Sequence, residues 1–133
     1  KNVIIKEDKI PNINAVLNLY SDASWTAYTD SLQQLKKAIE SSLKLWTLGM
    51  MTIVAFARVV GDDYTIIYIQ DILVLEAYQR KGIGSKLLKS ILESYHDVRQ
   101  IVLLTGNEDK TVKFYKKNGL TQVSKYNGVA FTK

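Results

Sequence analysis

Six residues concentrate the chemistry this chain can do: Gln79-Arg80-Lys81-Gly82-Ile83-Gly84. Two cations stand among two glycines, at the junction of two very different stretches. Upstream, Ile69-Gln70-Asp71-Ile72-Leu73-Val74-Leu75 is mostly apolar and rich in β-branched residues, the composition of a buried strand. Downstream, Ile83, Leu87, Leu88, Ile91, Leu92 and Tyr95 recur at three- and four-residue spacing, the pattern of an amphipathic helix. A strand that turns through glycine into a helix aims backbone N–H groups and the positive helix end at one point. That point suits an anion, a phosphate above all. No Gly-x-x-x-x-Gly-Lys-Ser/Thr loop occurs, and the third glycine of a dinucleotide fingerprint would fall at Leu87. The pattern that remains is Gln/Arg-x-x-Gly-x-Gly/Ala. Its bland reading is a basic strand–helix turn that needs glycine for tight geometry.

The elements around this turn follow from pattern. Val3-Ile4-Ile5 reads as a strand, and Pro11 opens a helix with Ile13, Val16, Leu17 and Tyr20 on one face. Asp30 or Ser31 caps a second helix carrying Leu32, Leu35 and Ile39. Strands follow at Leu43–Leu48, Thr52–Val60 and Tyr64–Val74, with a tight turn at Gly49-Met50 and a hairpin turn at Gly61-Asp62-Asp63. The helix from Gly82 to Tyr95 leads to Ile101–Leu104, an apolar run that suits a strand buried on both faces. A last helix spans Asp109 to Asn118. Gln122–Tyr126 and Val129–Phe131 then read as a closing hairpin about Asn127-Gly128. The order β-α-α-β-β-β-α-β-α-β-β gives an α/β fold: a single mixed, mostly antiparallel sheet flanked by helices.

Bulk composition narrows the function classes. At 133 residues the chain is read as one domain, 1–133, large enough for a core without metal or disulfide staples. Cysteine is absent, which excludes disulfides, thiolate metal sites and a cysteine nucleophile and fits a cytoplasmic setting. No apolar run is long enough to cross a bilayer, and no signal peptide is legible, so no membrane role is expected. The net charge of +5 favours an anionic partner. A dense Lys/Arg tract is missing, which argues against nucleic acid. The local cluster Arg80, Lys81 and Lys86 suffices for a polyphosphorylated cofactor. No His/Asp/Glu constellation points to a metal, and His96, the lone histidine, reads as a helix-end surface residue.

A second stretch joins the first: Asn107-Glu108-Asp109-Lys110-Thr111-Val112-Lys113-Phe114-Tyr115-Lys116-Lys117-Asn118-Gly119-Leu120. The glycine turn with its strand and helix resembles the acetyl-CoA-binding core of the GNAT superfamily of N-acetyltransferases. The Asn ahead of a Phe-Tyr-x-x-x-Gly helix is similar to that family's other signature, with Leu120 in place of a final aromatic and Lys110 where a small residue is common. The element order matches the GNAT (acyl-CoA N-acyltransferase) fold along nearly the whole chain.

The resemblance implies acetyl-CoA as cosubstrate and a small-molecule or peptide amine as acceptor, and it allows a homodimer. It implies that the central strand splays from Ile101–Leu104 to admit the pantetheine arm, held by main-chain groups of Ile72, Leu73 and Val74. Main-chain N–H groups of Gln79, Arg80, Lys81, Gly82, Ile83, Gly84 and Ser85 would hold the pyrophosphate, with charge from Arg80 and Lys81. Asn107 would bond the pantetheine, and Tyr115 would protonate the leaving sulfur. Without cysteine, direct attack in a ternary complex is the simplest route. The acceptor amine must shed a proton and the oxyanion needs donors.

Some residues have two readings. Asp71 is an acid within an apolar strand, where burial would make it a better proton acceptor and so a general base. It could equally be paired to Arg58 or a backbone donor, leaving the base to Tyr68, Glu76 or a water relay. Tyr115 could simply pack. Trp25 and Tyr28, aromatics in a polar loop, suit a lid or a cation–π contact with an amine, or merely cover the core. A second class of function also fits: a non-catalytic CoA or acyl-CoA sensor or interaction module on the same fold.

Overall fold

The computed structural model describes residues 5–7, 11–25, 30–49 and 52–133. Five strands form one sheet in the order β1-β2-β3-β4-β5: β1 Ile5–Glu7, β2 Lys44–Leu48, β3 Ala55–Gly61, β4 Ile66–Val74 and β5 Gln100–Val102. The first four pair antiparallel, each with the next in the chain, and β4 with β5 is parallel. Four helices flank the sheet: α1 Ile13–Asp22, α2 Leu32–Glu40, α3 Ile83–Ser94 and α4 Asp109–Lys117. Asn12 caps α1 through its side chain to Asn14 N, and Ser31 caps α2 through Gln34 N. Two cores result. Trp46, Leu48, Ala57, Val59, Ile67 and Ile69 pack beneath α3, on Ile83, Leu87, Leu88 and Ile91. Leu45, Phe56 and Leu73 pack beneath α1 and α2, on Val16, Leu19, Tyr20, Leu35 and Ile39.

One irregularity organises the centre. Val59 pairs with Ile69, but the neighbouring Arg58 pairs with Asp71, so Gln70 is an extra residue on β4. An unbroken strand would put Ile67, Ile69, Asp71 and Leu73 on one face. The bulge divides them: Ile67 and Ile69 enter the α3 core, whereas Asp71 and Leu73 turn to the α1/α2 side.

Two expectations change. The closing hairpin does not form. Residues 123–126 make a 3₁₀ turn, and Val129 and Phe131 belong to no strand. Asn127 and Gly128 supply a turn, but a turn sequence makes a hairpin only where both flanking segments find pairing partners. The strand expected at Ile101–Leu104 is shorter and lies at the sheet edge, half-buried rather than enclosed on both faces. The first strand is described from Ile5 onward, so Val3 and Ile4 lie outside the described residues, as does Met50 of the expected turn.

Candidate active site

The parallel ladder between β4 and β5 is short. Ile66, Ile67 and Tyr68 pair with Gln100, Ile101 and Val102, and there it ends, although β4 runs on to Val74. The strands part next to the bulge at Gln70, as expected where an added residue bends a strand and increases its twist. Leu75 N donates to Val54 O, which fixes the alternation of the β3–β4 ladder. The main-chain groups of Asp71 and Leu73 therefore serve β3, and those of Ile72 and Val74 face the gap. Of the three residues expected to hold an extended ligand arm, two present their backbone there and Leu73 lies behind them. Val74 O accepts a bond of 3.1 Å from Gln79 Nε2, which ties the turn to the end of β4.

The turn leads into a helix start that lacks a side-chain cap. A 3₁₀ turn over Glu76–Tyr78 follows β4, Gly82 is the N-cap of α3, and Lys86 N is the first helical N–H to find its acceptor, Gly82 O at 3.0 Å. The N–H groups of Ile83, Gly84 and Ser85 precede that bond and have no acceptor within the helix. Gly82 has φ +80°, and a Cβ there would meet nothing within 4 Å, so its need for glycine is conformational and the space beside it is open. Arg80 holds φ 64° without being glycine, a costly backbone state that favours a site held for function. Arg80 and Lys81 are exposed, with Lys81 Nζ 5.7 Å from the Tyr78 ring centre. Unpaired N–H groups, a positive helix end, two cations and open space together make an anion cradle.

Helix α4 locks this start in place. A Cβ at Gly84 would come within 3.2 Å of the Phe114 ring, so the absent side chain lets α4 approach α3. Asn118 Nδ2 donates to Ser85 Oγ at 3.2 Å and to Phe114 O at 2.8 Å. Tyr115 is half-buried at the margin of the α3 core, as are Ile72, Val74 and Leu103. Burial pushes its phenol up to about 12, so it keeps its proton throughout the neutral range. Asn107 lies exposed on the loop entering α4, and Glu108 takes the N-cap position without a side-chain bond.

Asp71 sits in a closed polar cluster on the other face. It is 1% exposed, and its Oδ2 accepts from Arg58 Nε and from the Tyr20 hydroxyl, each at 2.5 Å. Its Oδ1 is buried without a hydrogen-bond partner among the described residues. Burial is the strongest single influence on Arg58 and opposes its charge, but the Asp71 carboxylate and Tyr20 together raise the guanidinium above its usual value. Burial and then the same carboxylate raise the Tyr20 phenol well above the ordinary tyrosine range. The paired reading of Asp71 is thus the arrangement present. Trp25 adjoins the cluster: its N donates to Tyr20 O at 2.9 Å, and the two rings stand 6.0 Å apart. Asp22 Oδ2 accepts from Glu76 N at 2.8 Å, joining the end of α1 to the end of β4. Tyr28 lies outside the described residues.

Tyr20 and Gln79 are the residues whose roles sequence reasoning missed. Tyr20 had the spacing of a core position, and its hydroxyl partner depends on a bulge that no periodicity reveals. Gln79 was placed for its N–H, whereas its side chain also forms a tie. Among the described residues no group of three or more His, Cys, Asp or Glu could hold a metal ion, and no helix is long and apolar enough to cross a membrane.

Comparison with known proteins agrees with this architecture. A family model described as "Acetyltransferase (GNAT) domain" matches residues 45–121. An uncharacterized N-acetyltransferase, ycf52-like, of Prochlorococcus marinus is 29% identical over 107 residues, covering 75% of this chain. The match spans 58% of that relative's length. The solved structure of the GNAT family protein SP0256 from Streptococcus pneumoniae superposes with a TM-score of 0.88 at 31% identity, covering 98% of this chain and 96% of that one. The aminoglycoside N-acetyltransferase AAC(6')-Iy, solved in complex with CoA, shares the fold at a TM-score of 0.76 and 14% identity, covering 99% of this chain and 94% of the other.

Proposed function

The chain belongs to the GNAT acetyltransferase family, and on that premise we propose that it moves the acetyl group of acetyl-CoA to a primary amine, with both held at once. The observation that carries this reading is the gap beside Ile72 and Val74, which leads to the uncapped start of α3. The residues fit the cosubstrate: open space at Gly82, free first-turn N–H groups and two exposed cations match a pyrophosphate. Bound acetyl-CoA supplies the activated acetyl thioester. The chain does the rest. Main-chain groups of Gln79 to Ser85, with Arg80 and Lys81, grip the phosphates. Those of Ile72 and Val74, backed by Leu73, align the arm and orient the acetyl carbonyl, and Asn107 bonds the same arm. Tyr115, protonated because it is buried, gives its proton to the departing sulfur.

Asp71 takes a positioning role in this scheme, since its Oδ2 is already shared by Tyr20 and Arg58. Exposed Glu76, just beyond β4, accepts the amine's proton. Trp25, 37% exposed, faces the acceptor, where an aromatic ring attracts a cationic amine. Small-molecule amines head the acceptor panel, aminoglycosides among them because an enzyme of the same fold is named for that class. The engagement of Asp71 favours one alternative, a CoA-binding sensor that does not turn over.

Thermal unfolding with and without acetyl-CoA tests the reading. A ligand that binds only the folded state adds about 2.7 kcal/mol at a hundredfold excess over its dissociation constant. The expected result is a clear upward shift with acetyl-CoA and little with ATP or NAD, followed by thiol release with an amine. No shift at millimolar acetyl-CoA refutes the proposal, and a shift without thiol release across the amine panel favours the sensor.

A further inference from the structure

The 3₁₀ turn that follows β4 lacks a side-chain cap of its own. Leu75 takes the N-cap position before Glu76–Tyr78 and offers no side-chain bond. The turn closes with Tyr78 N to Leu75 O at 2.8 Å and Gln79 N to Glu76 O at 3.1 Å, and the N–H of Glu76 stands ahead of both bonds. Its acceptor comes from another element. Asp22, the last residue of α1 and 54 positions away, accepts that N–H at Oδ2 over 2.8 Å. A carboxylate on a backbone N–H is among the stronger hydrogen bonds a protein makes.

The same end of α1 is fixed at two further points. Tyr20 places its hydroxyl on Asp71, inside the core. Trp25 N returns to Tyr20 O at 2.9 Å, past Ser24 at φ 60°. Asp71 and Glu76 bracket residues 72–75, which include both residues whose backbone faces the gap. The end of α1 therefore holds that segment at each of its ends, once in the core and once at the surface. Trp25 hangs from Tyr20 and Glu76 from Asp22, so one helix end carries both. The two ties differ in kind. The tie at Asp71 is buried and bears on folding, whereas Asp22 and Glu76 are both exposed and their bond covers no apolar surface. What the exposed bond determines is where Glu76 stands.

We propose that Asp22 is a positioning residue for acetyl transfer. Through the N–H of Glu76 it sets the separation between the carboxylate that takes the amine's proton and the Trp25 ring that meets the amine. This role rests on the acetyl-transfer reading. A base must lie within about 2.6–3.2 Å of the group it deprotonates, and a drift of about 1 Å is enough to forfeit much of the rate. The anion cradle does not depend on Asp22. Gln79 Nε2 has its own bond to Val74 O, and Asn118 holds Ser85 at the start of α3. Asp22 thus governs the proton acceptor and leaves the phosphate grip alone, although it touches neither substrate.

Asp22→Ala and Asp22→Asn separate position from bulk stability, with putrescine, tyramine and neamine as acceptors. In Asp22→Ala the Glu76 amide is expected to exchange its hydrogen with solvent about tenfold faster, read by NMR. Thiol release is expected to fall about tenfold or more in kcat, with the KM for acetyl-CoA kept within about twofold. The Asn side chain keeps an oxygen acceptor, so Asp22→Asn is expected to recover most of the turnover and the slow exchange. Turnover in Asp22→Ala within about twofold of the unaltered chain overturns the role alone. So does unchanged exchange at Glu76, a KM for acetyl-CoA that rises as far as kcat falls, or an Asp22→Asn variant as slow as Asp22→Ala. An unaltered chain that releases no thiol with any of the three amines overturns the acetyl-transfer reading and this role with it.

Discussion

Removing the Asp71 carboxylate should damage folding far more than its single position suggests. Arg58 and Asp71 are both buried, and Asp71 Oδ2 is the acceptor for both Arg58 Nε and the Tyr20 hydroxyl. Asp71→Ala strands a guanidinium and a phenol in the α1/α2 core with their acceptor gone. Breaking a buried pair from one side costs about 3–5 kcal/mol, because the surviving charge stays desolvated. In a chain of this size that lowers the melting temperature by roughly 10–20 °C. Arg58→Met/Asp71→Leu removes both charges and should recover most of the loss, the desolvation cost disappearing with the ions. The assay is urea unfolding of Asp71→Ala and, read as a double-mutant cycle, of Arg58→Met, Asp71→Leu and Arg58→Met/Asp71→Leu. A cost below about 1 kcal/mol for Asp71→Ala, or single-variant losses that simply add, refutes the reasoning. The same variants bear on catalysis. If Asp71 were the general base, Asp71→Asn would abolish thiol release well below its melting temperature while acetyl-CoA binding survived. As a positioning residue, it should lose stability first.

Tyr115 makes a prediction about alkaline pH. Its folded value is raised from 10.0 to about 12, so its contribution is complete below pH 10 and is lost as pH rises toward 12. It amounts to at most about 2 kcal/mol, allowing for partial exposure. Tyr115→Phe should flatten the fall in urea stability between those limits, keep the acetyl-CoA shift and slow thiol release; an unchanged slope removes the burial argument. Gly84→Ala should cost about 1–3 kcal/mol, since the new methyl meets the Phe114 ring at 3.2 Å, and Phe114→Leu in the same chain should recover part of it, measured by denaturation. Arg80→Ala should leave stability within about 0.5 kcal/mol, weaken acetyl-CoA binding and reduce its salt dependence, as titration at two ionic strengths would show.

The sequence disclosed elements better than their connections. The strand–turn–helix at Val74 to Ile83 was legible because periodicity changes from two to about four there and glycine marks the change. The Phe114–Tyr115 helix and the capping residue Ser31 were legible for similar local reasons. Long-range facts were not. The alternation Ile67, Ile69, Asp71, Leu73 looks like one face in sequence, and only the pairing of Arg58 with Asp71 shows that it is two. The partners of Tyr20, the end of the β4–β5 ladder at Tyr68, and which of Ile72, Leu73 and Val74 face the gap all follow from that register. The C-terminal hairpin was misread for the complementary reason. Its local turn chemistry is sound, but no local rule says whether a strand will find an edge within its own chain.

The added residue at Gln70 also sets rules for how this strand can vary. β4 behaves as two half-strands out of phase, each answerable to a different helix layer. Changes at Ile67 and Ile69 must be accommodated by α3, and changes at Asp71 and Leu73 by α1 and α2. Conservative swaps within either half should therefore be absorbed locally. Deleting Gln70 is a different kind of event. It would make Ile69 and Asp71 neighbours, so that each half-strand would keep its face and Arg58 its acceptor, while the bend that parts β4 from β5 beyond Tyr68 would be lost. A loss of one residue there would spare both cores and straighten the strand beside Ile72 and Val74, which makes the extra residue answerable to the gap rather than to the packing.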